Sequence, residues 1–303
     1  MPSSESLRIR PYLLSLKNAP PAPLPEQRAA LPLLVDNYLG HPVPLPPGTQ
    51  VEKVSVNGIP AEWISLPDAD TERVLLYLHG GAYALGSCDS HRDLVARISA
   101  SSGIRALLIE YRLAPEHVFP AGLDDALSAY HWLLANGVKP EHIIIGGDSA
   151  GGGLALALLL TLKKNDEPLP AGAALLSPWT DLVGTGESRT TRAEADPWIS
   201  APAIQFVVGL YTGEEDAHNP LISPVYADLS GLPPLCIHVG NDEVLRDDSI
   251  HIAEHAQAAY VEVQLTVWEG MWHVFPVFAH VLPEGQQAIE QIGAFIRQQT
   301  QRS

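Results

Sequence analysis

Cysteine is scarce in this chain, with two in 303 residues, Cys88 and Cys236. Such an isolated pair excludes a disulfide framework and the paired-cysteine spacing of a zinc site, and both read as small buried thiols. Long hydrophobic runs are also missing. The longest, residues 154–160, falls far short of the roughly 20 residues that cross a bilayer, and residues 1–10 lack the basic-then-apolar pattern of a secretory leader. A soluble, cytoplasmic protein is expected. Positive charge is in short supply too, with 18 Lys and Arg against 35 Asp and Glu and a net charge of −17. Such a chain repels nucleic acid and anionic membranes, so neither is an expected partner. No internal repeat is evident. What is abundant is apolar side chain, 46% of residues, enough for one large domain or a domain with a small accessory part.

Residues 1–50 stand apart from the rest of the chain. Proline clusters at Pro20, Pro21, Pro23 and Pro25, then at Pro42, Pro44, Pro46 and Pro47. Around the first cluster, residues 4–16 and 25–38 read as helices, neither with an apolar face wide enough to fold alone. Both are expected to lie across the main body. From Val51 the rhythm changes. Residues 51–56 and 61–66 alternate apolar with polar on either side of Asn57-Gly58, the pattern of a hairpin at a sheet edge. Apolar strands come next at 74–78, 105–111, 142–145, 171–176, 234–239 and 261–268. Helices near 92–101, 122–135, 154–162, 247–259 and 284–299 separate or follow them. This alternation predicts an α/β fold, an eight-stranded, mostly parallel sheet covered on both faces. Residues 179–227 interrupt it. They are rich in Thr, Gly, Asp and Pro, with one helical stretch at 202–211, and are too long for a simple structureless loop.

Chemistry concentrates around one stretch, Ile143-Ile-Ile-Gly-Gly-Asp-Ser-Ala-Gly-Gly-Gly153. Three β-branched residues end a buried strand, and an Ala/Leu-rich helix begins just after. Ser149 is the centre of a G-x-S-x-G pattern between them. A strand that runs straight into a helix must turn sharply, which pushes the serine hydroxyl out of the sheet edge toward free helix N–H groups. Ser149 is therefore the candidate nucleophile. The end of strand 74–78 carries His79-Gly80-Gly81-Ala82-Tyr83. Two glycines there let backbone N–H groups face the crevice, where an acyl-transfer oxyanion develops. Gly80, Gly81 and Ala150 N–H are the expected donors, with His79 an orienting residue beneath the loop.

A base and an acid complete such a site. Of the twelve histidines, only His273 follows the last strand on a loop at the expected edge. His251 and His255, four apart on a helix, have metal-compatible spacing but no apparent third ligand, and read as a solvated face. The acid should follow strand 234–239, where Asp242, Glu243, Asp247 and Asp248 compete. Asp247 and Asp248 read as helix-start residues, where negative charge meets the dipole. Between Asp242 and Glu243, spacing does not choose.

Three motifs then carry a resemblance. His79-Gly-Gly-Ala-Tyr83, Tyr111-Arg-Leu-Ala-Pro-Glu-His117 with Phe119-Pro-Ala121, and Gly147-Asp-Ser-Ala-Gly-Gly152 occur in order and with spacing kept. Together they resemble the bacterial hormone-sensitive-lipase-like esterases, the family IV carboxylesterases, which are α/β-hydrolases. The resemblance runs from about Val74 to the C-terminus. It places the acid two residues before the Leu of an Asp-Pro-Leu-x-Asp pattern. Set on Leu245-Arg246-Asp247, that is Glu243, with Glu in place of Asp and Val244 in place of Pro. Ala82 stands where the family has a third glycine, narrowing the room for bulky groups. The resemblance further implies a cap built from residues 1–50 and 179–227 over a catalytic domain, residues 51–303. It implies a role for Glu116 behind the oxyanion loop, and a homodimer through the edge strand 261–268.

The expected activity is hydrolysis of short- to medium-chain carboxylic esters through an acyl-enzyme, with a small-molecule ester as partner and no metal or organic cofactor. A lactone or amide hydrolase would use the same residues. A non-catalytic small-molecule receptor of the same fold is disfavoured, because such relatives have lost the histidine that His273 supplies.

Overall fold

The computed structural model describes residues 2–301. Strand β1 (Gln50–Val56) and strand β2 (Ile59–Ser65) form the expected hairpin, paired Val56 to Ile59 at the turn. Asn57 and Gly58 both have positive φ, 50° and 92°, the backbone twist that suits a two-residue hairpin. The remaining strands are β3 (Asp70–Leu78), β4 (Ile104–Ile109), β5 (Ile143–Asp148), β6 (Gly172–Leu176), β7 (Leu235–Gly240) and β8 (Val263–Trp268). They form one eight-stranded sheet in the order β1-β2-β4-β3-β5-β6-β7-β8. Only β2 runs against the others, antiparallel to both β1 and β4; all pairings from β4 to β8 are parallel.

The helices are α1 (Ser4–Lys17), α2 (Leu24–Ala30), α3 (Leu34–Leu39), α4 (Cys88–Ser102), α5 (Ala121–Ala135), α6 (Ala150–Lys164), α7 (Ser188–Thr191), α8 (Ala201–Thr212), α9 (Arg246–Ala258) and α10 (Pro283–Thr300). Of the boundaries that differ from the sequence reading, two have a plain local cause. The helix expected from residue 92 begins at Cys88, because Ser87 and Ser90 form a capping box, with Ser90 N–H on Ser87 Oγ (3.2 Å) and Ser87 N–H on Ser90 Oγ (2.9 Å). The helix expected over 25–38 is split into α2 and α3 by a 3₁₀ turn at Leu31–Leu33. Pro32 supplies no N–H there for a continuous α-helical ladder.

Period-two alternation sends successive strand residues to opposite faces. Val74, Leu76, Leu78, Ile143 and Ile145 pack under α5, α6 and α9. Leu75, Tyr77 and Ile144 pack on the other side with Leu94, Val95 and Ile98 of α4 and Ile289, Ile292 and Phe295 of α10. A third, smaller cluster joins Ile9 and Leu13 of α1 to Met271, Trp272, Phe275 and Phe278. So α1 does lie across the body, on the loop that follows β8. Arg10 adds an ion pair to Asp242 (3.0 Å).

The segment between β6 and β7 holds α7 and α8 and is pinned to the start of α9. Ser188 N–H donates to Asp247 Oδ2 (2.8 Å), Thr180 Oγ donates to the Asp248 carbonyl (2.9 Å), and Arg189 pairs with Asp248 (3.1 Å). Asp247 and Asp248 thus do open a helix, and they also anchor this segment. His255 is exposed, in keeping with the solvated face expected of it, and its Nδ1 also bonds the Val225 carbonyl (3.0 Å). Cys88 and Cys236 are buried free thiols. No helix among the described residues is long and apolar enough to cross a membrane.

The α10 face carries a clear stability expectation. Phe295 is 2% exposed and lies against the sheet beside Gly172. Phe295→Ala should cost about 3–5 kcal/mol, read as a lower urea midpoint at unchanged slope.

Candidate active site

Strand order reverses between β3 and β5, so the chain leaves these neighbouring strands at a shared carboxyl-end crevice. Their pairing, Leu78 opposite Gly147, sets His79–Ala82 beside Ser149. Ser149 sits between β5 and α6 with φ 51° and ψ −121°, a conformation that β-carbon-bearing residues avoid and that persists only when the surroundings enforce it. The enforcement is visible. Ser149 N–H donates to the Leu176 carbonyl (2.8 Å), and its own carbonyl accepts from Gly153 (3.1 Å) and Trp179 (2.9 Å). Ala150 is the first residue of α6, so its N–H has no intrahelical acceptor.

The loop after β3 corrects one expectation. Gly80 N–H is not open to a ligand, since it donates to Asp148 Oδ1 (3.0 Å). The approach is so close that a β-carbon on Gly80 would run into that carboxylate. The next two amides, of Gly81 and Ala82, have no protein acceptor among the described residues. Gly81 (φ 116°) and Ala82 (φ 53°) turn the loop, and Ala84 and Leu85 N–H close it onto the Gly81 carbonyl (3.1 and 2.7 Å). The donor set that the geometry offers is therefore Gly81, Ala82 and Ala150. Sequence reasoning overlooks Ala82 because two adjacent glycines suggest that the donors are glycines. The signal present is its place at the third position of the motif.

Sequence reasoning also misses Asp148 as a functional residue. Its buried carboxylate accepts from Tyr77 OH (3.0 Å) and Gly80 N–H and meets His91 Nε2 (3.2 Å). Burial pushes its pKa up, but the His91 ring and the Tyr77 hydroxyl outweigh this and hold it below the usual carboxylate value. His91 lies 57 residues earlier, and nothing in the spacing marks the pair. His79 lies beneath the loop as expected. It is stacked on Tyr111 at 4.3 Å, with Nδ1 on the Gly80 carbonyl (2.8 Å). Burial and the neighbouring His91 lower its pKa to about 3, so it stays neutral. Glu116 does not reach the back of the loop. It is exposed and pairs with Arg28 of α2 (2.7 Å), and it is Arg28 that donates to the Ala84 and Ala114 carbonyls (2.8 Å each).

Farther along the sheet order from Ser149, His273, after β8, meets Glu243, after β7. His273 Nδ1 lies 2.6 Å from Glu243 Oε2, and both side chains are buried. Glu243 Oε1 accepts from Ser177 Oγ (2.8 Å) and Gly240 N–H (2.6 Å). Ser177 in turn accepts from Val274 N–H (3.1 Å), next to His273. Asp242, the competing acid, points elsewhere, into its ion pair with Arg10. Burial alone would lower the His273 pKa. The Glu243 carboxylate, through charge and hydrogen bond, outweighs it with help from Asp196 and Asp148, and the ring is held above 6.5. With Nδ1 committed to Glu243, Nε2 is the nitrogen left for proton exchange. No group of three or more His, Cys, Asp or Glu among the described residues is arranged to hold a metal ion.

Comparison with known proteins agrees with this geometry. A family model described as the alpha/beta hydrolase fold matches residues 75–277. An acetyl-hydrolase of Streptomyces hygroscopicus is 43% identical over 256 residues, covering 84% of each chain. An esterase of Acinetobacter venetianus is 38% identical over 253 residues, 83% of each. Among solved structures, an esterase from the bacterial hormone-sensitive lipase family superposes with a TM-score of 0.95 at 44% identity, covering 99% of both chains. By sequence, by fold and by the layout of the crevice at its strand ends, the chain belongs to the bacterial hormone-sensitive-lipase family of α/β-hydrolases.

Proposed function

We propose that this protein is a serine carboxylesterase that cleaves short- to medium-chain carboxylic esters through an acyl-enzyme. The observation that carries the reading is the buried His273–Glu243 pair at 2.6 Å, at the same sheet edge as a serine held in a strained turn. His273 Nε2 takes the Ser149 hydroxyl proton as Oγ attacks the ester carbonyl carbon. The carbonyl electrons move onto oxygen, and Gly81, Ala82 and Ala150 N–H hold that charge, each donor worth about 3 kcal/mol. Collapse expels the alcohol oxygen, which leaves with the proton from His273. Water then repeats the sequence on the acyl-enzyme and releases the acid. Glu243 fixes the tautomer and stabilises the imidazolium. The acetyl-hydrolase and esterase names of the relatives support a small acyl group.

We read residues 1–50 and 179–227 as a cap over the catalytic domain, residues 51–303, and we place the protein in the cytoplasm. We also propose a homodimer through β8, the last strand in the sheet order. A monomer by sedimentation equilibrium would rule that assembly out.

Ser149→Ala should abolish turnover of p-nitrophenyl butyrate and labelling by a fluorophosphonate while the thermal midpoint stays near wild type. Full activity in that variant would overturn the scheme. Glu243→Gln should lower kcat about 10³–10⁴-fold, whereas Asp242→Asn, which loses only a partly exposed ion pair, should stay within a few-fold. The base works only when neutral. Because the His273 pKa is raised, kcat/KM should climb with pH along an acidic limb centred above 6.5. A limb centred below that value would contradict the assignment.

A further inference from the structure

Tyr83 follows Ala82 in the oxyanion loop, and these two residues have φ of 58° and 53°. Neither is glycine, so two consecutive left-handed residues strain the chain where an oxyanion donor must be held still. Something outside the loop must over-determine that conformation. Part of it is the Ala114 N–H, which donates to the Tyr83 carbonyl (2.9 Å). The side chain is held from the other direction. Its ring lies flat against Tyr211, the penultimate residue of α8, with centroids 3.7 Å apart and planes 5° from parallel. Each tyrosine is 3% exposed. Tyr211 is fixed in turn, because its carbonyl accepts from Phe119 N–H (2.8 Å) and its ring meets the edge of Phe119 at 6.0 Å. Tyr83 also lies 6.0 Å from Trp179, whose N–H holds the Ser149 carbonyl. The stack thus sits between the segment inserted after β6 and both halves of the crevice. The N-terminal segment grips the same loop one residue on, through Arg28 and the Ala84 carbonyl.

We propose that Tyr211 is a positioning residue for the oxyanion hole. It acts through Tyr83 to keep the Ala82 N–H aimed at the developing charge. This rests on the esterase reading above and deepens it. The segment that bears α8 then does more than shape the pocket, since it supplies one wall of the support that makes the donors rigid. Loss of a preorganised donor acts on the transition state and therefore on kcat, whereas loss of a pocket contact with bound ester acts on KM.

The test is steady-state kinetics on p-nitrophenyl acetate and butyrate with wild type, Tyr211→Leu and Tyr211→Phe, with thermal midpoints measured alongside. Tyr211→Leu removes the flat partner and should lower kcat about 10- to 100-fold on both esters, with KM within about threefold. Tyr211→Phe keeps the ring and should keep kcat within about twofold of wild type. If Tyr211→Leu does not fold, Tyr211→Met, which keeps apolar volume without a ring, makes the same comparison. An unchanged kcat in the ringless variant, a loss confined to KM, or an equal loss in Tyr211→Phe overturns the proposal. Absence of ester turnover by wild type would instead refute the esterase reading itself.

Discussion

Everything at the site depends on the parallel pairing of β3 with β5. The register Leu78 to Gly147 brings two strand exits to one place, so that the loop carrying Gly81 and Ala82 and the turn carrying Ser149 emerge side by side. The register is also locked by burial. Leu76 and Leu78 belong to one core and Tyr77 to the other, and a slip of one residue would exchange the faces. The same alternation aims the Tyr77 hydroxyl at Asp148. Core packing and site geometry are thus set by one ladder.

Asp148 converts that ladder into rigidity. A lone buried carboxylate would be costly, but this one meets a tyrosine hydroxyl, a backbone N–H and an imidazole, the kind of satisfaction that makes a buried charge tolerable. Its tie to Gly80 fastens the loop to the residue just before the nucleophile. It also adds to the negative field that, with Glu243 and Asp196, favours a protonated His273. In the proposed reaction that field assists at the moment the imidazolium forms. It also means that protonation competes with catalysis at a higher pH than for a free imidazole. In the same proposed scheme the oxyanion is held by backbone donors, which carry no net charge and cannot be titrated away.

Much of this is legible in the sequence. The β-branched run Ile143–Ile145, the glycines around Ser149 and the Ala/Leu-rich helix beyond are local signals, and local signals determine a strand, a turn and a helix. His273 is legible for a topological reason, as the histidine just past the last strand. What sequence does not reveal is anything decided by tertiary contact. Gly80 looks like a donor because its backbone is flexible, yet its N–H is consumed by a side chain 68 residues away. Glu243 and Asp242 are adjacent acids of similar chemistry. Burial beside His273 separates one from the other, and the other is drawn off by Arg10, 232 residues distant. Resemblance favours Glu243, but spacing alone does not. The role of Asp148 is hidden within the motif that names its neighbour.

The N-terminal segment shows why such contacts matter. Helix α2 has no buried residue of its own, and α1 buries little more than Ile9, Leu13 and Ser6. Neither would persist alone. Yet α1 packs on the loop that carries His273 and neutralises the acid next to Glu243, while α2 sends Arg28 to the loop that carries Ala82. The segment after β6 grips the same two regions, with Trp198 near His273 (6.3 Å) and Tyr211 on Tyr83. Loops are the mobile part of most folds, and every candidate catalytic group here lies on a loop or a strand–helix turn. Electrostatic stabilisation of a transition state requires donors that need no rearrangement when charge develops. The segments outside the sheet meet that requirement by holding from above what the strand ends hold from below, so the rigidity of the site belongs to the whole chain rather than to its central sheet.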